Sequence, residues 1–181
     1  SGSYDKESIV GNVKHLQLTI KGGSGGHSGM DIQKGLANVN KVMNRILLVA
    51  IESIDFRIAS IRGGGLRNAI PRESMCQLVI APDDLEDLKE SIHHEMTRVQ
   101  QEHRNTDPEL TWDLSTASEA AKNVMSEEEQ ELILLAIQAC PVGIHRMSPD
   151  IEGLVQTSNN LAQVVIGDGL VKLSCLCRSS V

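Results

Sequence analysis

Leu161-Ala162-Gln163-Val164-Val165-Ile166-Gly167-Asp168-Gly169-Leu170-Val171-Lys172-Leu173 is the stretch on which the fold turns. Two apolar-rich runs, residues 153–166 and 170–178, flank Gly167-Asp168-Gly169, whose residue types accept the positive φ of a tight hairpin turn. So short a connection joins antiparallel strands only; a parallel pair needs a crossover of a dozen residues or more.

Working back from this hairpin, strand and helix signals alternate along the chain. Residues 13–21 place Leu16, Leu18 and Ile20 on one side and His15, Gln17 and Thr19 on the other, the pattern of a half-buried strand. A glycine loop follows, and then Ile32, Leu36, Val39, Met43, Ile46, Leu47 and Ala50 form one helical stripe. Ser28 and Asp31 are the expected cap of that helix. Strands are predicted at 54–61 and 73–81, with an extended piece at 66–71 between them. Pro82, Asp83 and Asp84 suit the first turn of a second helix carrying Leu85, Leu88, Ile92, Met96 and Val99. A strand is predicted at 111–115, a helical piece at 117–124, and a capping box at Ser126 and Glu129 opening a helix that Cys140-Pro141 stops. Residues 142–147 read as short and extended.

Two tight strand connections among interspersed helices give an α+β fold: a two-layer sandwich, mainly antiparallel sheet with helices packed on one face. Residues 1–12 read as a tag or linker. Residues 13–181 form one domain, with the polar stretch 102–109 as candidate boundary between two halves, 13–105 and 110–181.

Composition excludes several functions. The net charge of −7 argues against a nucleic-acid partner. Tyr4, Phe56 and Trp112 are the only aromatic side chains, too few for a stacking platform. No apolar run reaches the ~20 residues of a membrane span. Cys76, Cys140, Cys175 and Cys177 show no disulfide framework and read as structural thiols, which fits a cytoplasmic location.

Six histidines invite a metal site. There is no H-E-x-x-H, and neighbours His93 and His94 diverge by about 100° on a helix, so they read as solvated surface. The loop Gly22-Gly23-Ser24-Gly25-Gly26-His27 sits between a strand and a helix as phosphate cradles do, but lacks their Lys-Ser/Thr pair. Ser28 is not in a nucleophile elbow. His27 is left with two readings: an exposed loop histidine, or a donor that reaches a substrate held by something else and stabilises a developing oxyanion.

The blocks Gly25-Gly26-His27-Ser28-Gly29-Met30-Asp31-Ile32-Gln33-Lys34-Gly35-Leu36-Ala37-Asn38, Gly63-Gly64-Gly65-Leu66-Arg67-Asn68-Ala69-Ile70-Pro71-Arg72-Glu73, Gly153-Leu154-Val155-Gln156-Thr157-Ser158-Asn159-Asn160 and Cys177-Arg178-Ser179-Ser180 resemble, in order, motifs of bacterial Xaa-His dipeptidases. These are also known as aminoacyl-histidine or cytosolic non-specific dipeptidases, and belong to a dizinc peptidase clan. The resemblance covers their lid (dimerisation) domain, a ferredoxin-like fold with an extension, and not the metal-holding catalytic domain. It implies that His27 stabilises the oxyanion, Asn68 binds substrate and Arg178 grips the dipeptide's C-terminal carboxylate. It further implies two divalent metals, zinc being expected, in the parent enzyme and none in this fragment. The implied partners are the dipeptide substrate, the chain's own catalytic domain and a second copy in a homodimer. The fragment alone is expected to be inactive. The alternative is a free-standing α+β self-association module.

Overall fold

Alternating apolar side chains build the sheet first. In a computed structural model describing residues 1–180, the strands in chain order are β1 (Gly2–Ser3), β2 (Lys6–Ser8), β3 (Lys14–Lys21), β4 (Gly26–His27), β5 (Phe56–Gly63), β6 (Ala69–Ile70), β7 (Ser74–Ile80), β8 (Thr111–Thr116), β9 (Asn123–Met125), β10 (Gly143–Met147), β11 (Val155–Gly167) and β12 (Leu170–Ser179). The helices are α1 (Val39–Ile51), α2 (Leu85–Glu102) and α3 (Glu127–Ala139). The main sheet runs β1-β12-β11-β5-β7-β3-β8, with β10 also on β11, and its pairings are antiparallel. Two small ladders, β2-β9 and β4-β6, stand beside it. The hairpin turns at Asp168 and Gly169, with φ of 55° and 81°, the primed turn that strand twist favours.

The core is aliphatic. Leu16, Leu18 and Ile20 of β3, Ile58 of β5 and Leu78 and Ile80 of β7 are buried together with Met43, Ile46 and Leu47 of α1, Leu88, Ile92 and Met96 of α2 and Leu134 and Ile137 of α3. Each such side chain contributes roughly 1.5–3 kcal/mol. Polar links fix the helices. Glu95, 1% exposed on α2, receives Arg45 Nε of α1 at 2.5 Å and Arg98 Nη1 at 3.1 Å. Gln130 of α3 accepts from Ile58 N at 2.5 Å and donates to Phe56 O at 3.0 Å, satisfying the free side of β5 next to its bulge.

Three expectations need correction. The first helix does not begin at Ile32: Gly35, at φ 68°, ends a single 3-10 turn, Ile32–Lys34, and α1 starts afresh behind Asn38, whose Oδ1 accepts from Lys41 N at 3.3 Å. The Ser28–Asp31 cap is absent for the same reason; the Asp31 carboxylate takes the His27 N–H instead, at 2.7 Å. Residues 117–124 are not helical. They run as bends into β9, which pairs with β2, so the segment read as a linker supplies the missing partner. Tyr4, between β1 and β2, is 7% exposed and donates its N–H to Gly169 O. The two sequence halves share one sheet, because β8 lies against β3 and β11 against β5.

Candidate functional site

The glycine loop is held in place from three directions. β4 zips it to β6 through Gly26–Ile70 and His27–Ala69 pairing, extended by Ser28 N to Asn68 O at 2.8 Å and Gly23 N to Arg72 O at 3.1 Å. Asp107, 1% exposed, accepts from Ser24 N and from Ala37 N, both at 2.8 Å, and so pins both ends of the loop. Asp31 closes the loop on itself; its ion pair with Lys34 at 2.8 Å and the His27 amide hold its carboxyl below the usual carboxylate range.

This scaffold orients the His27 ring. Gly29 N and Met30 N both donate to Nδ1 at 3.2 Å. A nitrogen that accepts cannot carry the ring proton, so in the neutral imidazole the proton is on Nε2. Nε2 lies 3.5 Å from Arg178 Nη2. Both atoms are then donors, and two donors at that separation are suited to share an acceptor between them. The guanidinium lies against the loop because Gly29 has no side chain; a Cβ there would stand 2.9 Å from Arg178 Nε.

Asn68 lies on the exposed rim of a cleft of about 850 Å³, shared with His27, Arg62 and Arg72. Arg178 lines a second, smaller pocket of about 420 Å³, together with Val142, Ile144, His145 and Cys177. The His27–Arg178 contact is therefore the ridge between two cavities. Met30 and Leu66, 74% and 70% exposed, leave apolar surface beside His27 and Asn68.

The four sequence blocks converge here, through residues to which the sequence reading assigned no role. Asn160, fully buried on β11, donates Nδ2 to Ala69 O at 2.8 Å and accepts from Asn38 Nδ2 at 3.0 Å. It thus ties the third block to the second and to the end of the first. Both asparagines stand inside the quoted motifs, which was the available signal. Asp107 lies in the stretch taken for a soft boundary and carried no signal. His93 and His94 are exposed on α2, while Glu95 between them and the core turns to Arg45 and Arg98. No group of three or more His, Cys, Asp or Glu side chains among the described residues could hold a metal ion, so the residues present do not fit a dimetal centre. What the arrangement offers chemically is a cluster of fixed hydrogen-bond donors with positive charge.

Comparison with known proteins gives one family match and two relatives. Residues 18–107 match the peptidase dimerisation domain. The chain is 33% identical over 175 residues to the cytosol non-specific dipeptidase of Escherichia coli (strain K12), an alignment covering 97% of this chain and 36% of that protein. The crystal structure of aminoacylhistidine dipeptidase from Vibrio alginolyticus superposes with a TM-score of 0.94 at 32% identity, over 99% of this chain and 36% of that one. The chain thus spans about 36% of the length of these relatives.

Proposed function

The chain belongs to the peptidase dimerisation domain family, and from that premise we propose that it is the lid of a metal-dependent dipeptidase acting on Xaa-His and related dipeptides in the cytosol. In this reading His27 Nε2–H donates to the oxyanion that forms as the scissile carbonyl is attacked. Arg178 holds the C-terminal carboxylate with its planar fork, and Asn68 donates to the substrate from the rim. The observation that carries the proposal is the 3.5 Å approach of two donors, His27 Nε2 and Arg178 Nη2, on a loop whose backbone amides fix the tautomer. Fixed donors aimed at developing charge need no reorganisation during the reaction, which is the source of their effect. The divalent metals implied by the resemblance are assigned to the catalytic domain, and the part played by this chain is confined to hydrogen-bond donation and the exclusion of water on closure.

The test uses the complete enzyme. His27→Ala should lower kcat on an Xaa-His dipeptide by roughly 10²–10³-fold, with a much smaller change in KM; an unchanged kcat removes the oxyanion role. The 181-residue chain alone should be inert toward carnosine with zinc or manganese. Turnover above background, with contaminating peptidase excluded, would refute that.

A second reading, a free-standing self-association module, draws on β8, which ends the sheet order and presents an unpaired edge among the described residues. Light scattering tests the assembly that both readings share, and strict monomer behaviour counts against it. The flanking reading frame separates them: codons for a metal-holding domain support the lid, and their absence supports the module.

A further inference from the structure

The β11–β12 hairpin also builds a trough beside Arg178. Helix α3 stops at Cys140 and Pro141, and the chain returns at once as β10 along β11, where Ile144 pairs with Ser158. Arg178 of β12 pairs with the same Ser158 from the other side. Directly opposed residues of antiparallel strands share a face, so Ile144, Ser158 and Arg178 form one row. Its outer members stand roughly 10 Å apart, two strand spacings. A small side chain between two large ones leaves a gap, and that gap belongs to the pocket of about 420 Å³ that Arg178 lines.

The row looks toward the glycine loop. Ser158 and Asn160 lie two apart on β11 and project from one face, and Asn160 donates to Ala69 O and accepts from Asn38. β10 also lies beside the Ile32–Lys34 turn that follows the loop. On the opposite face Asn159 fixes the wall: its Nδ2 donates to Pro141 O at 2.6 Å and its Oδ1 accepts from Cys177 Sγ at 3.0 Å, so the entry to β10 is held to β11 and β12 together. Two features of the trough have no structural use. Ile144 is 41% exposed and stands outside the hydrophobic core. Ser158 is only 6% exposed, yet its hydroxyl has no hydrogen-bond partner among the described residues, whereas a hydroxyl so enclosed is ordinarily paired.

We propose that this trough is the subsite for the side chain of the dipeptide's C-terminal residue, and that Ile144 and Ser158 set a preference for histidine there. The inference rests on the lid reading above, in which His27 meets the scissile carbonyl and Arg178 the C-terminal carboxylate. Only the amide nitrogen and one Cα separate those two groups in a dipeptide, and the C-terminal side chain branches from that Cα. It therefore starts on the Arg178 side of the ridge, where the trough is the cavity. The residue before the scissile bond lies on the His27 side, toward the larger cleft. At about 420 Å³ the trough is near the low end of cavities that hold whole ligands, about 300–1,000 Å³, and has the scale of a single-residue subsite. An imidazole matches its lining: the carbon edge of the ring packs on Ile144, and a ring nitrogen exchanges a hydrogen bond with the Ser158 hydroxyl, which both donates and accepts.

The experiment measures kcat/KM of the complete enzyme on Ala-His, Ala-Leu, Ala-Gly and His-Gly. Ile144→Trp, a change at an exposed position, fills the trough and should lower the Ala-His to Ala-Gly ratio by roughly 10-fold or more. The His-Gly to Ala-Gly ratio, which reports the other residue, should move by less than about twofold. Ser158→Ala should lower the Ala-His to Ala-Leu ratio by roughly 3–10-fold, the loss of one neutral hydrogen bond. The proposal is overturned if either C-terminal ratio stays within about twofold of wild type, or if Ile144→Trp shifts the His-Gly ratio as much as the Ala-His ratio. Such a failure leaves the lid reading standing if Arg178→Lys still distinguishes free-acid from amidated dipeptides. A complete enzyme that hydrolyses none of these dipeptides removes both.

Discussion

Replacing Asp107 with alanine should cost far more than its place in a polar connecting stretch suggests. Its carboxylate accepts from Ser24 N and Ala37 N, each at 2.8 Å, and its side chain has no solvent exposure. Hydrogen bonds to a charged acceptor contribute about 1.5–3 kcal/mol each, and removing the acceptor strands a buried donor. The Ala37 amide is buried, so the full penalty applies there; Ser24 can partly recover water. The neighbouring His103, 3.5 Å away and a quarter exposed, adds little. Asp107→Ala should therefore destabilise the chain by about 3–5 kcal/mol. With a urea m-value on the order of 2 kcal/mol/M, the midpoint should fall by roughly 1.5–2.5 M at unchanged m. Asp107→Asn keeps one acceptor and turns a donor toward the second amide, so about half the loss is expected. Unfolding would be followed by far-UV circular dichroism, and hydrogen exchange would report the Ser24 and Ala37 amides directly. A loss below about 1 kcal/mol in Asp107→Ala, or undiminished protection of the Ala37 amide, would refute the assignment.

Three further perturbations follow from the same geometry. In the complete enzyme, Arg178→Lys should reduce kcat/KM on a free-acid dipeptide by roughly 10–100-fold, because an ammonium cannot replace a bidentate fork; the C-terminally amidated dipeptide should lose much less, and equal losses would remove the carboxylate role. Gly64→Ala should destabilise by roughly 2–3 kcal/mol in thermal unfolding, since φ is 71° and the new Cβ would fall on the Ala162 carbonyl; an unchanged Tm would contradict this. Asp31, whose carboxyl is held down by Lys34 and the His27 amide, should keep that amide bonded at all pH values above its unfolded pKa and release it as pH falls through the lowered folded value. The His27 amide resonance would report this, and a midpoint at or above the ordinary carboxylate value would count against it.

How far the residues disclosed the structure depended on the range of each interaction. The β11–β12 hairpin, the alternating strand β3 and the α3 capping box all rest on neighbours within a few positions, and each was readable. The start of α1 was misjudged because an apolar stripe continues across Gly35, and only the backbone reveals that the helix breaks there. Residues 117–124 and 1–12 were misread together, since β2 and β9 are strands only by virtue of each other across more than a hundred residues. At the site, His27, Asn68 and Arg178 were named from motif resemblance; the cleft shared by His27 and Asn68 and the approach of Arg178 to His27 required coordinates. Asp107 was invisible: an acidic residue in a polar run looks solvated until the loop it holds, more than eighty positions earlier, is laid against it.

The approach of His27 to Arg178 joins positions 151 residues apart. That spacing exists only once β12 has paired with β11, so neither the glycine loop nor β12 sets it alone. Any change that shifts the register of β12 on β11 should therefore move the guanidinium away from the ring while leaving the glycine loop intact.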